Sequence, residues 1–197
     1  MKPVKARLGD RLETQLSILL TLLGTMWVAA LINALLFGGS LIQLGIHPRG
    51  SLLGIVFYPF LHGGLAHLVS NTVPFFILGW LVMLRRFSDF FPVTLIVWLC
   101  SGLGVWLFGA PNSVHVGASG LVFGYFGFLL MRAWVERSLG AIALALVTFL
   151  LYGGLLWGLL PIRYGVSWQG HLFGFLGGWL AARLLAADQP QQPGSGL

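Results

Sequence analysis

Apolar residues in this chain run in blocks of about twenty, broken by short clusters of Gly, Pro and charged residues. Such a block, wound as a helix, matches a bilayer core of about 30 Å. None of the blocks alternates apolar and polar residues at period two, so a barrel is excluded and helices are predicted, the form that satisfies its own backbone in lipid. Six spans follow, at roughly Gln15–Phe37, Gly64–Leu84, Phe91–Gly109, Gly117–Trp134, Leu139–Leu160 and Gln169–Ala187. The first block is too long for the core of a signal peptide and reads as a retained span. Residues Gly38–Tyr58 are apolar with Gly, Pro and one Arg, and are expected to lie in the outer interface, half in lipid. The predicted organisation is a cytoplasmic segment at 1–14, a six-helix membrane domain at 15–187 and a disordered tail at 188–197, which is rich in Pro, Gln and Gly.

Composition agrees. Of 197 residues, 57% are apolar and 8% charged, against about 25% charged in a soluble domain. The net charge of +6 could suggest nucleic acid, but the basic residues sit in clusters between the apolar blocks. With both termini on one side, that side receives Lys2, Lys5, Arg7, Arg11, Arg85, Arg86, Arg132, Arg137 and Arg183. Only Arg49 and Arg163 fall opposite, so both termini are expected in the cytoplasm and no nucleic-acid partner is expected. The acids Asp10, Glu13, Asp89, Glu136 and Asp188 lie on the same inner side, leaving the outer half without a carboxylate side chain. The histidines distribute the other way: His47, His62, His67, His115 and His171 all fall outside or at outer span ends. Titratable groups at such positions are functional candidates. The lone Cys100 allows no internal disulfide.

Three clusters can carry chemistry. Gly117-Ala118-Ser119-Gly120 precedes an apolar helix. Glycines there let a substrate backbone approach the hydroxyl, and free N–H groups at a helix start can stabilise an oxyanion. From these residues alone a helix cap is the commoner reading of the serine. Next, Gly170, Gly174 and Gly178 recur every four residues beside His171, and Gly120 and Gly124 offer a matching stripe. Small-residue stripes let membrane helices approach closely, which would bring Ser119 within reach of His171 as an activating base; a structural histidine between helices is the alternative. Last, His67 and Asn71 are four apart and share a helix face. Both can donate to a developing oxyanion, or simply hold helices together. His62 precedes the helix and reads as a loop or cap residue, not a third donor.

The combination His62…His67…Asn71, then Gly117-x-Ser119-Gly120, then His171-x-x-Gly174 is similar to the rhomboid family in order, spacing and topology, across nearly the whole six-helix core. The resemblance implies an all-α, rhomboid-like bundle that is an intramembrane serine endopeptidase with a Ser119–His171 dyad. It implies an oxyanion hole of His67, Asn71 and the Ser119 N–H, with Phe123, Gly117, Gly120, Gly174 and His62 in support. With no carboxylate in the outer half, a Ser-His-Asp triad cannot be assembled from side chains. The implied substrates are single-span membrane proteins cut near the outer end of their span. No metal or cofactor is implied, and the site is expected to open to the outside of the cell membrane. Two departures stand out: Phe123 occupies the place of a frequent tyrosine, and His47-Pro48-Arg49-Gly50 replaces a Trp-Arg pair of the first outer loop. Arg49 is expected to anchor that loop at the headgroups. The fifth span, with Gly153, Gly154 and Gly158, is by fold analogy a mobile wall for substrate entry.

Rival classes fare worse. A metal enzyme lacks His-Glu-x-x-His and any outer carboxylate. An aspartyl intramembrane protease needs aspartates within spans. A transporter gives no reason for pairing Gly-x-Ser-Gly with Gly-His. A non-catalytic rhomboid-like binder of membrane helices is the remaining alternative; loss of the serine or the histidine is expected of it, and both are present.

Overall fold

The computed structural model describes residues 4–162 and 165–187. The tail at 188–197 and the outer Arg163 therefore lie outside the described residues. Seven α-helices follow in order: α1 Val4–Leu36, α2 Leu53–Phe57, α3 Leu65–Arg85, α4 Phe90–Phe108, α5 Ser119–Glu136, α6 Leu139–Tyr152 and α7 Trp168–Ala187. No strand forms among the described residues, and one isolated antiparallel bridge joins Ile46 to His115. Each of the six apolar blocks carries one long helix. Four stretches, Gly9–Leu36, Leu65–Leu84, Phe87–Phe108 and Leu139–Leu159, are long and apolar enough to cross a membrane. The protein is an all-helical, multi-pass membrane protein.

Two boundaries differ from expectation for physical reasons. Among the described residues the first helix already covers Val4 to Thr14, ahead of Gln15, because the apolar block marks where lipid can begin, whereas a helix continues through polar residues until something breaks it. The fifth block is α-helical only to Tyr152 and tightens into a 3-10 turn over Gly153–Leu159. Two successive glycines weaken the α-helix there and permit the change.

Helix α5 is the axis of the bundle: Gly120 through Leu129 are all buried, as is Arg132. It packs most extensively against α7, and α4 packs against both. Glycine makes this possible. A Cβ on Gly174 would lie 2.2 Å from the Gly120 carbonyl oxygen, and one on Gly178 only 1.9 Å from that of Gly124. The partner stripe on α5 works differently from expectation. Gly120 and Gly124 present their carbonyls to α7, while the space of their missing side chains is filled from α4 by Ser101 and Val97. At the opposite end from the serine, buried Arg132 pairs with Asp89 at 3.3 Å and with Glu136, tying the start of α4 to the end of α5.

The segment between α1 and α3 is bound to the protein and not merely afloat. Trp106 Nε1 donates to the Gly50 carbonyl (2.8 Å) and Trp98 Nε1 to that of Ile55 (2.5 Å). The Arg49 guanidinium donates to the Leu107 carbonyl at 3.4 Å, tying this segment to the end of α4. By contrast α6 buries only Ala141, Ala145 and Thr148 and turns Leu139, Ile142, Leu146, Leu150 and Leu151 outward.

Gly178→Ala is expected to destabilise the fold by about 1–3 kcal/mol, because the helices cannot separate without loosening the core between them. Gly154→Ala, whose Cβ meets nothing within 4 Å, is expected to leave Tm unchanged. Thermal unfolding in detergent checks both, and equal Tm values would refute the packing argument.

Candidate active site

Ser119 is the first residue of α5, and the N-cap position belongs to Ala118, with no side-chain cap bond. The capping reading of the serine therefore gives way. Its Oγ instead lies 2.9 Å from His171 Nε2 on the first turn of α7. His171 Nδ1 is 2.9 Å from the Gly158 carbonyl oxygen in the 3-10 turn after α6. A carbonyl can only accept, so Nδ1 carries the proton and Nε2 is left to accept from the serine hydroxyl. Phe123, one turn into α5, stacks on the imidazole with centroids 4.0 Å apart and planes 6° from parallel. A Cβ on Gly158 would strike Phe123 Cζ at 2.6 Å, so only glycine brings that carbonyl close enough. The His171 imidazole is thus held on three sides without a carboxylate.

The chain enters α5 through Gly117 at φ +114°, a conformation L-residues avoid. A Cβ here would also sit 2.6 Å from His67 Nε2 and 3.5 Å from Asn71 Nδ2. The loop before the serine therefore lies directly on the His67–Asn71 face of α3. The Gly63 N–H donates to His67 Nδ1 at 3.4 Å, which leaves Nε2–H free to point toward Gly117. Asn71 is buried, and its Nδ2 has no partner. A buried amide donor without an acceptor is costly, and this one sits beside the Gly117–Ser119 segment, where an incoming oxygen could accept from it. The Ser119 N–H, in the first helical turn, has no carbonyl one turn back to bond.

His62 does hold the loop, as its place before the helix suggested. Its Nε2 accepts from the Ala118 N–H at 3.4 Å, and its ring meets that of His67 edge-on at 5.1 Å. Gly120 and Gly174 act through the close approach of α5 and α7. Sequence reasoning missed several neighbours. Gly158 was visible only as part of a flexible run; its carbonyl as a partner of the base has no sequence signature. Tyr58, Ser101, His115 and Ser167 line a narrow cleft that reaches Ser119. Of these, Ser101 Oγ donates to the Gly170 carbonyl at 2.9 Å, pinning α4 to the start of α7.

Apolar helices buried around a paired serine and histidine define a class: multi-pass membrane proteins with a hydrolase-like site inside the bundle. The rhomboid domain profile matches residues 49–188. This chain belongs to the rhomboid family. It is 40% identical over 181 residues to protein Rv1337 of Mycobacterium tuberculosis, covering 87% of this chain and 75% of that protein. It is 30% identical over 131 residues to RHOMBOID-like protein 4 of Arabidopsis thaliana, 64% of this chain and 32% of that protein. Serine proteolysis is the general activity of the family.

Burial, reinforced by the neighbouring His67, pushes the His62 imidazole down from 6.5 to about 4, and burial also lowers that of His115. The neutral rings are the folded form. Between pH 6.5 and about 4 the unfolded chain binds more protons at His62 than the folded one, so stability present above 6.5 is lost on acidification through that window. His62→Gln keeps an acceptor for the Ala118 N–H without titrating. It is expected to flatten the fall of Tm between pH 6.5 and 4, as read by thermal melts across that range; an unchanged slope would show that His62 is not the titrating group.

Proposed function

We propose that this protein is an intramembrane serine endopeptidase that hydrolyses peptide bonds in or near transmembrane segments of membrane proteins through a Ser119–His171 dyad. One observation carries the reading: Ser119 Oγ and His171 Nε2 are 2.9 Å apart while Nδ1 is committed to the Gly158 carbonyl. The imidazole is thereby oriented and held in the tautomer that can take the hydroxyl proton. Ser119 attacks the substrate carbonyl, its proton passes to His171 Nε2, and the oxyanion is received by the Ser119 N–H, His67 Nε2–H and Asn71 Nδ2. His171 then protonates the leaving amine, and water hydrolyses the acyl-enzyme by the reverse use of the same groups.

The imidazolium formed on the way has no carboxylate partner. Its supports are the Gly158 carbonyl dipole and the face of Phe123, over which a charged ring gains a cation–π attraction that a neutral ring lacks. The loss of a tyrosine hydroxyl at that position leaves the stacking intact. Slow turnover is expected from so weakly compensated a charge. In this reading the chain spans the membrane six times with both termini cytoplasmic, and the site opens to the opposite side, where single-span substrates present an unwound stretch. The loosely packed α6 is the wall through which they enter.

Ser119→Ala is expected to abolish labelling by a fluorophosphonate probe and cleavage of a reporter span in liposomes. His171→Ala is expected to lower both rates by at least about 10³-fold, and Asn71→Ala by about 10²–10³-fold through loss of one oxyanion donor. Labelling that survives Ser119→Ala would overturn the assignment.

A further inference from the structure

A second serine–histidine contact lies beside the dyad, and the reading of Ser119 and His171 does not use it. His115 Nδ1 is 2.6 Å from Ser167 Oγ, and His115 Nε2 is 2.7 Å from Ser113 Oγ. The proton positions can be worked out. Ser113 Oγ donates its one hydrogen to the Ala110 carbonyl at 2.5 Å, so toward His115 it can only accept, and Nε2 carries the proton. His115 Nδ1 is then bare and accepts from the Ser167 hydroxyl. The His115 backbone is fixed as well, exchanging N–H and C=O with Ile46 at 3.0 and 2.9 Å. Ser167 in turn accepts the His171 N–H on its own carbonyl at 3.2 Å.

The contact joins the two segments whose separation matters most. His115 lies four residues before Ser119, and Ser167 four residues before His171. Both dyad residues sit in the first turn of their helices, where helices fray most readily. On the membrane-centre side of the dyad, the carbonyls of Gly120 and Gly124 set the approach of α5 to α7. That line of contact, with Ser101 holding the Gly170 carbonyl, fixes the helices themselves but not the chain that leads into each of them. The His115–Ser167 bond supplies a second point, beyond the dyad.

We infer that His115 is a positioning residue for the proposed reaction: with Ser167 it clasps the nucleophile segment to the start of α7 and so sets the Ser119–His171 distance. This role rests on the dyad reading and deepens it. A displacement of about 1 Å at reacting atoms can cost a hundredfold in rate.

The test compares wild type, Ser119→Ala, His115→Ala, Ser167→Ala, the His115→Ala/Ser167→Ala double variant and His115→Asn, each for reporter-span kcat and KM, probe labelling rate, and Tm. His115→Ala and Ser167→Ala are each expected to lower kcat by about 10- to 100-fold with KM within about twofold, and the double variant is expected to be no worse than either single one. His115→Asn, whose Oδ1 can replace Nδ1 as acceptor for Ser167, is expected to restore most of the kcat. Should His115→Ala fail to fold, Ser167→Ala against wild type carries the comparison. A kcat unchanged in Ser167→Ala, or losses in kcat that add in the double variant and follow Tm without rescue by His115→Asn, would overturn the clasp. A wild type whose labelling equals that of Ser119→Ala sinks the protease reading itself, and the clasp's role in it.

Discussion

Gly178 faces Gly124 so closely that a methyl group would stand 1.9 Å from the opposing carbonyl oxygen, and the rest of the bundle is arranged around that approach. Between lipid-facing helices there is little hydrophobic driving force, so association depends on packing contact and on polar groups that find partners. Glycines on α7 let it press against the α5 backbone. Glycines on α5 let α4 press from another side. The three helices form a rigid centre from which Ser101, Ser119 and His171 project, and a rigid base is what a hydrogen bond between two separate helices requires. The loosely packed α6 completes the contrast: it buries three small residues yet delivers, through the turn that follows it, the carbonyl that orients the base.

That carbonyl changes the electrostatic problem of a histidine base. A buried carboxylate would stabilise an imidazolium strongly, but would itself have to be carried into a low-dielectric setting at considerable cost. A backbone carbonyl is neutral, already present, and fixes the tautomer equally well. What it gives up is charge stabilisation, and the parallel Phe123 ring recovers part of that. Glycine at 158 is the condition for both, since any side chain there would meet the ring before the carbonyl reached Nδ1. The site thus uses the absence of side chains at 117, 158, 174 and 178 as much as the presence of Ser119 and His171.

This explains which parts were legible in the amino-acid sequence. The six helices were readable because an apolar block of bilayer length has few other solutions. Ser119, His171, His67 and Asn71 were readable as candidates because polar groups among apolar neighbours need a reason. The carbonyl of Gly158 was not, because backbone groups carry no residue signature and every residue has one. Likewise the α5 glycines looked like one half of a symmetric stripe. Which neighbour fills the space of a missing side chain depends on the rotation of the helix, and spacing alone leaves that open. His115 could be flagged as an outer histidine, but its partner Ser167 lies 52 residues away, too far for any local pattern.

The direction of the helices adds a last constraint. α3, α5 and α7 all begin at the end of the bundle where His67, Ser119 and His171 lie. Three helix N-termini therefore converge on one small volume, each bringing the positive end of a backbone dipole. In a site without outer carboxylates this field is uncompensated by negative side chains, and Asn71 adds a further buried donor without a partner. An environment so rich in donors is best satisfied by an oxyanion, the species that the proposed attack of Ser119 on a carbonyl would form. The same field disfavours an imidazolium on His171, whose supports are the Gly158 carbonyl and the Phe123 face. In the proposed reaction, stabilisation is therefore concentrated on the oxygen side of the transition state, and the rate should be more sensitive to the placement of the proton acceptor than to any single donor.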